Sequence, residues 1–371
     1  MGKTPLIPKA FWNLRKPRLG LIPQGGSNWL GGQYYLQSIH ANILSAFKKS
    51  ETWKLLQIGG EPDFFPGATF VGRGRQSSLA GIFWRYRCDV VFPYTPVRRL
   101  RLGAAKAIGW IYDLQHVDMP EMFDQSEIDH RNKFFERTIK NSEITVTSSQ
   151  VMAQRLRELW PKYISKIRVL QFTAKISWEE ISQALHEASI PSEKFFLCPY
   201  QLWKHKNHEV LLEALKICRR KGRAIRIFCS GDKSDFRNPK YPQTLLEKVR
   251  ESELSDNIVF LGRIPRKELL GLMVRSQAMI LPSLYEGWST ALEEAKALGK
   301  DCFVSDIKVH REQGHSKARY FDPSDATALA ELLLQKGSPL NEKEAHESVT
   351  RYQEKRRKTG ERFLSLIAEA L

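Results

Sequence analysis

Short apolar runs alternate with longer amphipathic stretches along the chain, and this pattern predicts strands that alternate with helices. The predicted strands of the first half are residues 18–23, 55–59, 90–94, 107–112 and 144–147. Those of the second half are residues 195–199, 226–230, 258–261, 278–281 and 302–305. Such apolar runs are typical of strands that helices cover on both faces. We therefore expect an α/β protein with doubly wound parallel sheets.

The stretch 277–300, QAMILPSLYEGWSTALEEAKALGK, is the most informative part of the chain. An amphipathic helix follows its apolar run, and we predict Thr290 as the N-cap with Glu293 as its partner in a capping box. A helical projection places Glu293 on the solvent side and Glu294 at the edge of the buried face. Glu286 precedes the helix, so Glu286 and Glu294 are expected to face one crevice at the carboxyl end of a strand.

The spacing of these carboxylates resembles the donor-site signature of the retaining GT-B glycosyltransferases of family 4. The resemblance includes Glu286-x7-Glu294, the preceding LPSLYEGW and the following EEAKALGKDCFVSDI. In that family the first glutamate contacts the transferred sugar, and the second binds the ribose hydroxyls. The resemblance implies two facing, doubly wound Rossmann-like domains with a cleft between them. Ordinary solvated glutamates on a capped surface helix are the alternative.

Four residues between the two glutamates depart from the family pattern. Trp288 and Ser289 stand where the family has Phe-Gly, and Thr290 and Ala291 stand where it has Leu-Pro. By resemblance, Trp288, Ser289 and Thr290 contribute to substrate binding. The departures bear on the choice of sugar more than on the reaction.

Basic residues early in the second half are candidates for binding a diphosphate. Lys204 and Lys206 precede a predicted helix, whose N-terminal dipole also attracts anions. Lys206 matches a lysine of the family, whereas Gln201 stands where the family has an arginine, so Lys204 is the candidate for the missing charge. Solvated lysines at a helix start are the alternative. No Asp-x-Asp metal signature precedes the site, and we expect neither a metal nor another cofactor.

Two further pairs are implied by the resemblance. Arg263 and Ile264 follow a predicted strand at the place where the backbone of similar proteins meets the base. Gly31 and Gly32 end a glycine-rich loop after the first strand and match a family pair that lies against the donor phosphates and the acceptor. A plain tight turn is the alternative for the glycines.

Asp113 and His116 are the candidate catalytic residues of the first half. Asp113 follows the predicted strand 107–112, and His116 lies three residues later. The family normally places a His-Asp pair near the sugar and the acceptor hydroxyl, so His116 is expected to supply that polar role. A histidine that merely caps a loop is the alternative. We assign no general base.

The cysteines and histidines show no metal-binding spacing. The five cysteines, Cys88, Cys198, Cys218, Cys229 and Cys302, are scattered and lie mostly in apolar runs. They are expected to be reduced core residues of a cytosolic protein. His205 and His208 are expected to lack metal-binding partners.

The chain is basic, with 58 Lys and Arg against 41 Asp and Glu and a net charge of +17. Residues 1–180 hold most of the excess, 26 basic residues against 15 acidic ones. Basic and aromatic residues occur together in that half, namely Arg15, Lys16, Arg18, Arg85, Arg87, Arg98, Arg99 and Arg101 with Trp12, Phe83, Trp84, Tyr86 and Tyr94. This mixture suits the interface of an anionic membrane, and solvated surface charge is the alternative. Nucleic acid is not an expected partner, because no motif for binding it is present.

Neither a signal peptide nor a transmembrane span is predicted, so we expect a cytoplasmic protein, with peripheral contact at the inner face of the membrane as an option. An N-terminal acceptor-side domain is expected over residues 1–180 and a nucleotide-sugar-binding domain over residues 190–345. Helices are predicted over residues 342–357 and 361–371, and a C-terminal helix, at about residues 358–371, is expected to pack back on the first domain.

These features predict a retaining hexosyltransferase. It would move a hexose from a UDP- or GDP-sugar to a glycan or lipid-linked acceptor in the biosynthesis of a cell-surface polysaccharide or lipopolysaccharide. A nucleotide-sugar epimerase of the same fold is one alternative, since it needs a diphosphate site and carboxylates but no acceptor. A non-catalytic, basic anion-binding protein is the other.

Overall fold

The structure is a computed structural model that describes residues 16–24, 30–47, 53–72, 79–96, 105–188, 191–335 and 337–371 of the 371. The chain divides into two compact units. Unit 1 comprises Met1–Pro120, Asp124–Lys175 and Glu354–Leu371, and unit 2 comprises Glu121–Phe123 and Ile176–Gln353.

Unit 1 is built on a parallel sheet of seven strands. The strands are β1 (Arg18–Leu21), β2 (Lys54–Ile58), β3 (Thr69–Val71), β4 (Val90–Tyr94), β5 (Lys106–Trp110), β6 (Ile144–Thr147) and β7 (Ile167–Val169). Their order in the sheet is β3-β2-β1-β4-β5-β6-β7. The helices between them are α1 (Leu30–Ala46), α2 (Leu79–Arg85), α3 (Gln115–Asp118), α4 (Gln125–Asn141) and α5 (Gln150–Leu159).

Unit 2 is built on a parallel sheet of six strands. After helix α6 (Trp178–Glu187), the strands are β8 (Phe196–Cys198), β9 (Ile227–Ser230), β10 (Ile258–Gly262), β11 (Met279–Leu281), β12 (Cys302–Ser305) and β13 (Ala318–Phe321). Their order is β10-β9-β8-β11-β12-β13. The further helices are α7 (His208–Arg220), α8 (Tyr241–Glu251), α9 (Arg266–Arg275), α10 (Thr290–Leu298), α11 (Lys308–Gln313), α12 (Ala326–Gln335) and α13 (Glu342–Ala370).

Every described pair of neighbouring strands runs parallel in both sheets, which confirms the predicted class of two doubly wound α/β sheets. All four positions of β6 and of β12 are buried, as expected of strands in parallel sheets. The strand order reverses between β1 and β4 in unit 1 and between β8 and β11 in unit 2. In doubly wound sheets such a reversal opens a crevice at the carboxyl ends of the strands, where ligands bind.

A single helix stands where the sequence predicted two. The helices expected over residues 342–357 and 361–371 are one continuous helix, α13, which runs through Gly360. A Cβ atom added at Gly360 would collide with the carbonyl oxygen of Asn42 in α1. Glycine is therefore required for the close approach of α1 and α13, and it does not end the helix.

The polar segment 173–193, for which no strand was predicted, contains helix α6. Ser177 begins this helix with a capping box, since its hydroxyl accepts from the Glu180 N–H while the Glu180 carboxylate accepts from the Ser177 N–H. Ile181 and Ala184 on one face of the helix are buried. Residues 176–188 of this segment thus belong to unit 2.

Candidate functional site

The candidate site of unit 2 lies where the strand order reverses. Segment 199–207 follows β8, and segment 282–289 follows β11. Because neighbouring parallel strands end at the same edge of a sheet, the two segments meet there. The Leu284 N–H donates to the carbonyl oxygen of His205 at 2.8 Å and joins them.

Lys206 and Glu286 form an ion pair at this edge. The Lys206 Nζ donates to Glu286 Oε1 at 2.6 Å, and the two side chains are only 12% and 10% exposed. The Ser283 hydroxyl donates to the same carboxylate oxygen at 2.7 Å, and Lys206 Nζ lies 4.4 Å from the centre of the Tyr200 ring. Partly buried charges need such partners, so each residue holds the other in place. The structure thus brings two predicted site residues into direct contact.

Ser289 caps helix α10, and the prediction of Thr290 as the N-cap was wrong by one residue. The Ser289 hydroxyl accepts from the Leu292 N–H at 3.3 Å, and Thr290 is the first helical residue. Gln313 bonds to both the N–H and the carbonyl oxygen of Ser289, at 3.0 and 2.7 Å, and so fixes its extended backbone. The neighbouring Trp288 is buried.

Tyr200 lies between the ion pair and the cap of α10. Its hydroxyl is 2.9 Å from the hydroxyl of Ser289. Burial and the negative charge of Glu286 raise the pKa of Tyr200 well above its usual range. Tyr200 is therefore a neutral hydroxyl at the site.

Glu293 is 0% exposed, and the prediction that it faces water was wrong. Its carboxylate accepts from Lys296 Nζ at 2.8 Å, from Gln313 Nε2 at 3.2 Å and from the hydroxyl of Tyr352. Tyr352 belongs to α13, which covers this face of α10. A helical projection cannot show a neighbour that comes from a distant part of the chain.

We expect Glu293→Gln to lower the free energy of unfolding by about 1–3 kcal/mol, because the amide cannot accept from all three buried donors. Urea unfolding measures this, with the exposed Glu347→Gln as the control. Affinity for a nucleoside diphosphate should stay unchanged in both variants. Parental stability of Glu293→Gln would contradict the structural role of this carboxylate.

Glu294 pairs with Arg266, a residue that the sequence did not single out. The Arg266 Nη1 lies 2.5 Å from Glu294 Oε1, and the Glu294 side chain is almost completely buried. Arg266 is the first residue of α9 and follows the loop that holds the exposed Arg263 and the half-buried Ile264. The ion pair therefore connects the second glutamate to the loop that was predicted to meet the base.

Lys204 begins the 3-10 turn that ends at Lys206. Its backbone N–H donates to Asp235 Oδ2 at 3.1 Å, while its side chain is exposed. Within the described part of the chain, no ion pair is found for the Lys204 ammonium group. This arrangement is compatible with the predicted role in binding a diphosphate and with the solvated alternative.

His310 is a second residue that the sequence did not single out. It is fully buried, and its Nδ1 lies 3.0 Å from the carbonyl oxygen of Ser305. Burial lowers the pKa of His310, although the negative charge of Glu286 opposes this change. A neutral imidazole thus lies within electrostatic reach of the Lys206–Glu286 pair.

Gly31 and Gly32 lie in unit 1, in the first turn of α1 and not in the loop before it. The N–H groups of a first helical turn have no acceptor within the helix. A Cβ atom added at Gly31 would meet no described atom within 4 Å, so the space beside it is open as far as the structure describes the chain. Their role against donor phosphates stays a prediction.

Asp113 precedes helix α3 of unit 1, and His116 is the second residue of that helix. Asp113 Oδ1 is 3.3 Å from Arg131 Nη1, and the His116 Nε2 is 3.1 Å from Asn132 Oδ1. His116 is fully buried against the ring of Phe135, and burial lowers its pKa. This environment fits a structural histidine, the alternative that the sequence left open, and the catalytic role of both residues stays a prediction.

The described part of the basic and aromatic patch is divided between core and surface. Phe83 and Tyr94 are buried, so the prediction that they belong to a membrane-facing surface was wrong. Trp84 is 83% exposed, and Arg85 and Arg87 beside it are exposed too. Five members of the patch lie outside the described residues, namely Trp12, Arg15, Arg98, Arg99 and Arg101. None of the described helices combines the length and the apolar character that crossing a bilayer requires.

Comparison with known proteins identifies a matching family and relatives over part of the chain. Residues 179–356 match the family described as glycosyl transferases group 1. The chain is 30% identical over 133 residues to the O-antigen chain mannosyltransferase RfbU of Salmonella typhimurium (strain LT2), covering 36% of this chain and 35% of RfbU. It is 32% identical over 101 residues to the putative glycosyltransferase EpsF of Bacillus subtilis (strain 168), covering 27% and 24%. The matches thus span about a third or less of these relatives.

Solved structures resemble nearly the whole chain. A glycosyltransferase from Rickettsia africae has a TM-score of 0.60 at 18% identity, covering 95% of this chain and 96% of that one. Anabaena HepE in complex with UDP has a TM-score of 0.64 at 14% identity, covering 94% and 100%. WaaG, a glycosyltransferase involved in lipopolysaccharide biosynthesis, has a TM-score of 0.61 at 14% identity, covering 94% and 99%. The chain therefore has the GT-B fold of these glycosyltransferases, and its residues 179–356 match the glycosyl transferases of group 1.

Proposed function

We propose that the protein is a retaining glycosyltransferase of family 4 that moves a hexose from a nucleoside diphosphate sugar to a glycan or lipid-linked acceptor. The observation that carries the proposal is the Lys206–Glu286 ion pair at the point where the strand order of unit 2 reverses. Glu294 follows in the first turns of α10. The family match over residues 179–356 contains all three residues and supports the proposal.

Each of these residues has its own part in the proposed reaction. An ammonium group carries three N–H donors, so Lys206 can keep its bond to Glu286 and still bind the diphosphate. There its positive charge stabilises the negative charge that develops on the leaving diphosphate. The Glu286 carboxylate accepts from sugar hydroxyls and favours the positively charged, oxocarbenium-like transition state. Glu294 accepts hydrogen bonds from the ribose hydroxyls.

Secondary contacts complete the proposed site. The exposed ammonium group of Lys204 supplies a second positive charge near the diphosphate. The backbone at Arg263 and Ile264 meets the base. Because lysine and helix N-termini supply positive charge, the proposed transfer step uses no metal ion.

The donor and the pathway are proposed from the relatives. RfbU is named as an O-antigen mannosyltransferase, HepE is described in complex with UDP, and WaaG is described as acting in lipopolysaccharide biosynthesis. These properties belong to those proteins, and they support a UDP- or GDP-sugar as the donor here. We propose a glycan or lipid-linked acceptor in the biosynthesis of a cell-surface polysaccharide or lipopolysaccharide.

A screen of nucleotide sugars for thermal stabilisation, followed by a transfer assay, tests the proposed function. We expect one class of nucleotide sugar to raise the melting temperature, and an acceptor glycan to trigger release of the nucleoside diphosphate. Conversion of the sugar to an isomer without this release would favour an epimerase. Absence of stabilisation, together with nucleic-acid binding that falls steeply with salt, would favour a non-catalytic anion-binding protein.

We also propose that the basic surface of unit 1 contacts an anionic membrane at its cytoplasmic face. Trp84 is largely exposed, and its neighbours Arg85 and Arg87 are exposed cations. An aromatic ring beside arginines suits the headgroup region, where the ring reaches apolar chains and the cations meet anionic lipids.

Replacing Arg85 and Arg87 together by Gln should weaken binding to phosphatidylserine liposomes by about 1 kcal/mol per residue, and added salt should have a similar effect. Co-sedimentation with liposomes measures this. The exposed basic residues Lys317 and Arg351 of unit 2, replaced in the same way, serve as the control. If neither the arginine substitutions nor added salt changes liposome binding, these arginines are ordinary solvated surface charges.

A further inference from the structure

Cys198, Cys229 and His208 form a buried cluster in unit 2. Their exposures are 0%, 2% and 0%, and their sulfur and ring nitrogen atoms all lie within 4.8 Å of one another. Cys198 and Cys229 face each other on the neighbouring strands β8 and β9, and His208 is the first residue of α7. The sequence predicted no metal-binding partners for His208, whereas the fold brings two cysteines from separate strands beside it.

The ring of His208 is the second observation that points to a ligand. Among the described residues, neither of its ring nitrogens has a hydrogen-bond partner. A buried polar group without a partner is energetically unfavourable. A cation bound beside the two sulfurs would give the imidazole the partner that it otherwise lacks.

The chemistry of the cluster also suits a metal ion. Two cysteines and one imidazole lie together, and the thiolate form of cysteine is a metal ligand.

We propose that Cys198, Cys229 and His208 bind a zinc ion through two sulfurs and one imidazole nitrogen. Zinc uses cysteine and histidine together, whereas magnesium and calcium require oxygen ligands, which this cluster lacks. Zinc–sulfur bonds of about 2.3 Å at tetrahedral angles separate two sulfurs by about 3.8 Å, so the ligands need to close by at most about 1 Å. The bound ion joins β8, β9 and the start of α7, and it stabilises the unit that holds them.

This site is distinct from the proposed transfer chemistry, which uses no metal. Its ligand His208 lies two residues after Lys206 in the chain and is the first residue of α7, the helix that follows segment 199–207. The proposal stands or falls independently of the sugar-transfer function, because its tests read out metal binding and not activity.

Titration of the reduced, metal-free protein with Co²⁺ under anaerobic conditions tests the proposal. We expect one equivalent per chain, a sulfur-to-cobalt charge-transfer band, and loss of that band when Zn²⁺ displaces the cobalt. Cys198→Ser and Cys229→Ser should each remove the band and weaken Zn²⁺ binding by more than the roughly 10–100-fold that loss of an outer-shell partner costs. The buried thiols of Cys218 and Cys302 provide the matched controls, and their serine variants should keep both properties.

Saturating Co²⁺ that produces no charge-transfer band in the unsubstituted protein would overturn the proposal. So would a band that survives in the double variant Cys198→Ser/Cys229→Ser. X-ray absorption of the zinc-loaded, unsubstituted protein decides the matter without any variant. Two sulfur neighbours are expected there, and a shell of oxygen and nitrogen alone would contradict the site.

Discussion

Glu286→Gln should lose most transfer activity while it binds nucleoside diphosphate about as well as the unsubstituted protein. The amide keeps the size of the carboxylate but removes the negative charge that favours a positively charged transition state. Loss of one such electrostatic contact costs roughly 100–1000-fold in kcat. Steady-state kinetics and a binding titration on the same preparation separate kcat from affinity.

The structure explains why affinity should survive this change. In the unsubstituted protein Lys206 donates to Glu286 at 2.6 Å, so its charge is partly neutralised by the carboxylate. In the proposed site, Gln at position 286 would leave the full charge of Lys206 to the diphosphate. Glu253→Gln, which alters an exposed surface ion pair in unit 2, is the matched control and should change neither quantity. A Glu286→Gln variant that transfers at the parental rate would show that segment 282–289 has been misinterpreted.

Glu294→Ala should instead act mainly on binding, with a large loss of nucleotide affinity. Hydrogen bonds to a charged group contribute about 1.5–3 kcal/mol, so the dissociation constant should rise by roughly 10- to 150-fold. Calorimetric titration with the free nucleoside diphosphate measures it. Unchanged affinity would show that Glu294 does not bind the nucleotide.

The pair with Arg266 calls for a second variant. Glu294→Ala also leaves Arg266 without this partner, which by itself could disturb the loop before α9. Arg266→Met removes the ion pair but keeps the carboxylate. If Glu294 contacts the ribose directly, its substitution should cost as much affinity in the Arg266→Met background as in the unsubstituted protein. A cost that disappears there would mean that Glu294 acts only by holding Arg266.

The class of the fold was predictable because its evidence is local. Apolar runs such as those of β4 and β11 are continuous and fully buried, and they alternate with amphipathic stretches. Strand β3 was missed because it is only three residues long and two of them are exposed. It therefore has no recognisable pattern. Helix α13 was divided in two because Gly360 resembles a helix end until the approach of α1 is known.

The candidate site was predictable only where the sequence carries a motif. Glu286 and Lys206 were identified separately, and the order of the strands brings them together. Arg266 and the partners of Glu293 come from other elements, so spacing along the chain gives no signal for them. The cysteine and histidine cluster was missed for the same reason, since its three members lie on two strands and a helix.

Helix α13 has a consequence for how the protein is made. Its last part belongs to unit 1, where Phe363 is buried with its ring 4.8 Å from that of Phe92. A ribosome adding roughly 5–20 residues per second needs about 10–40 s to proceed from Lys175, where the rest of unit 1 is complete, to this helix. During that interval the apolar surface that receives Phe363 is exposed on the nascent chain, a condition that favours capture by chaperones. The unit that emerges first from the ribosome is therefore the one that finishes folding last.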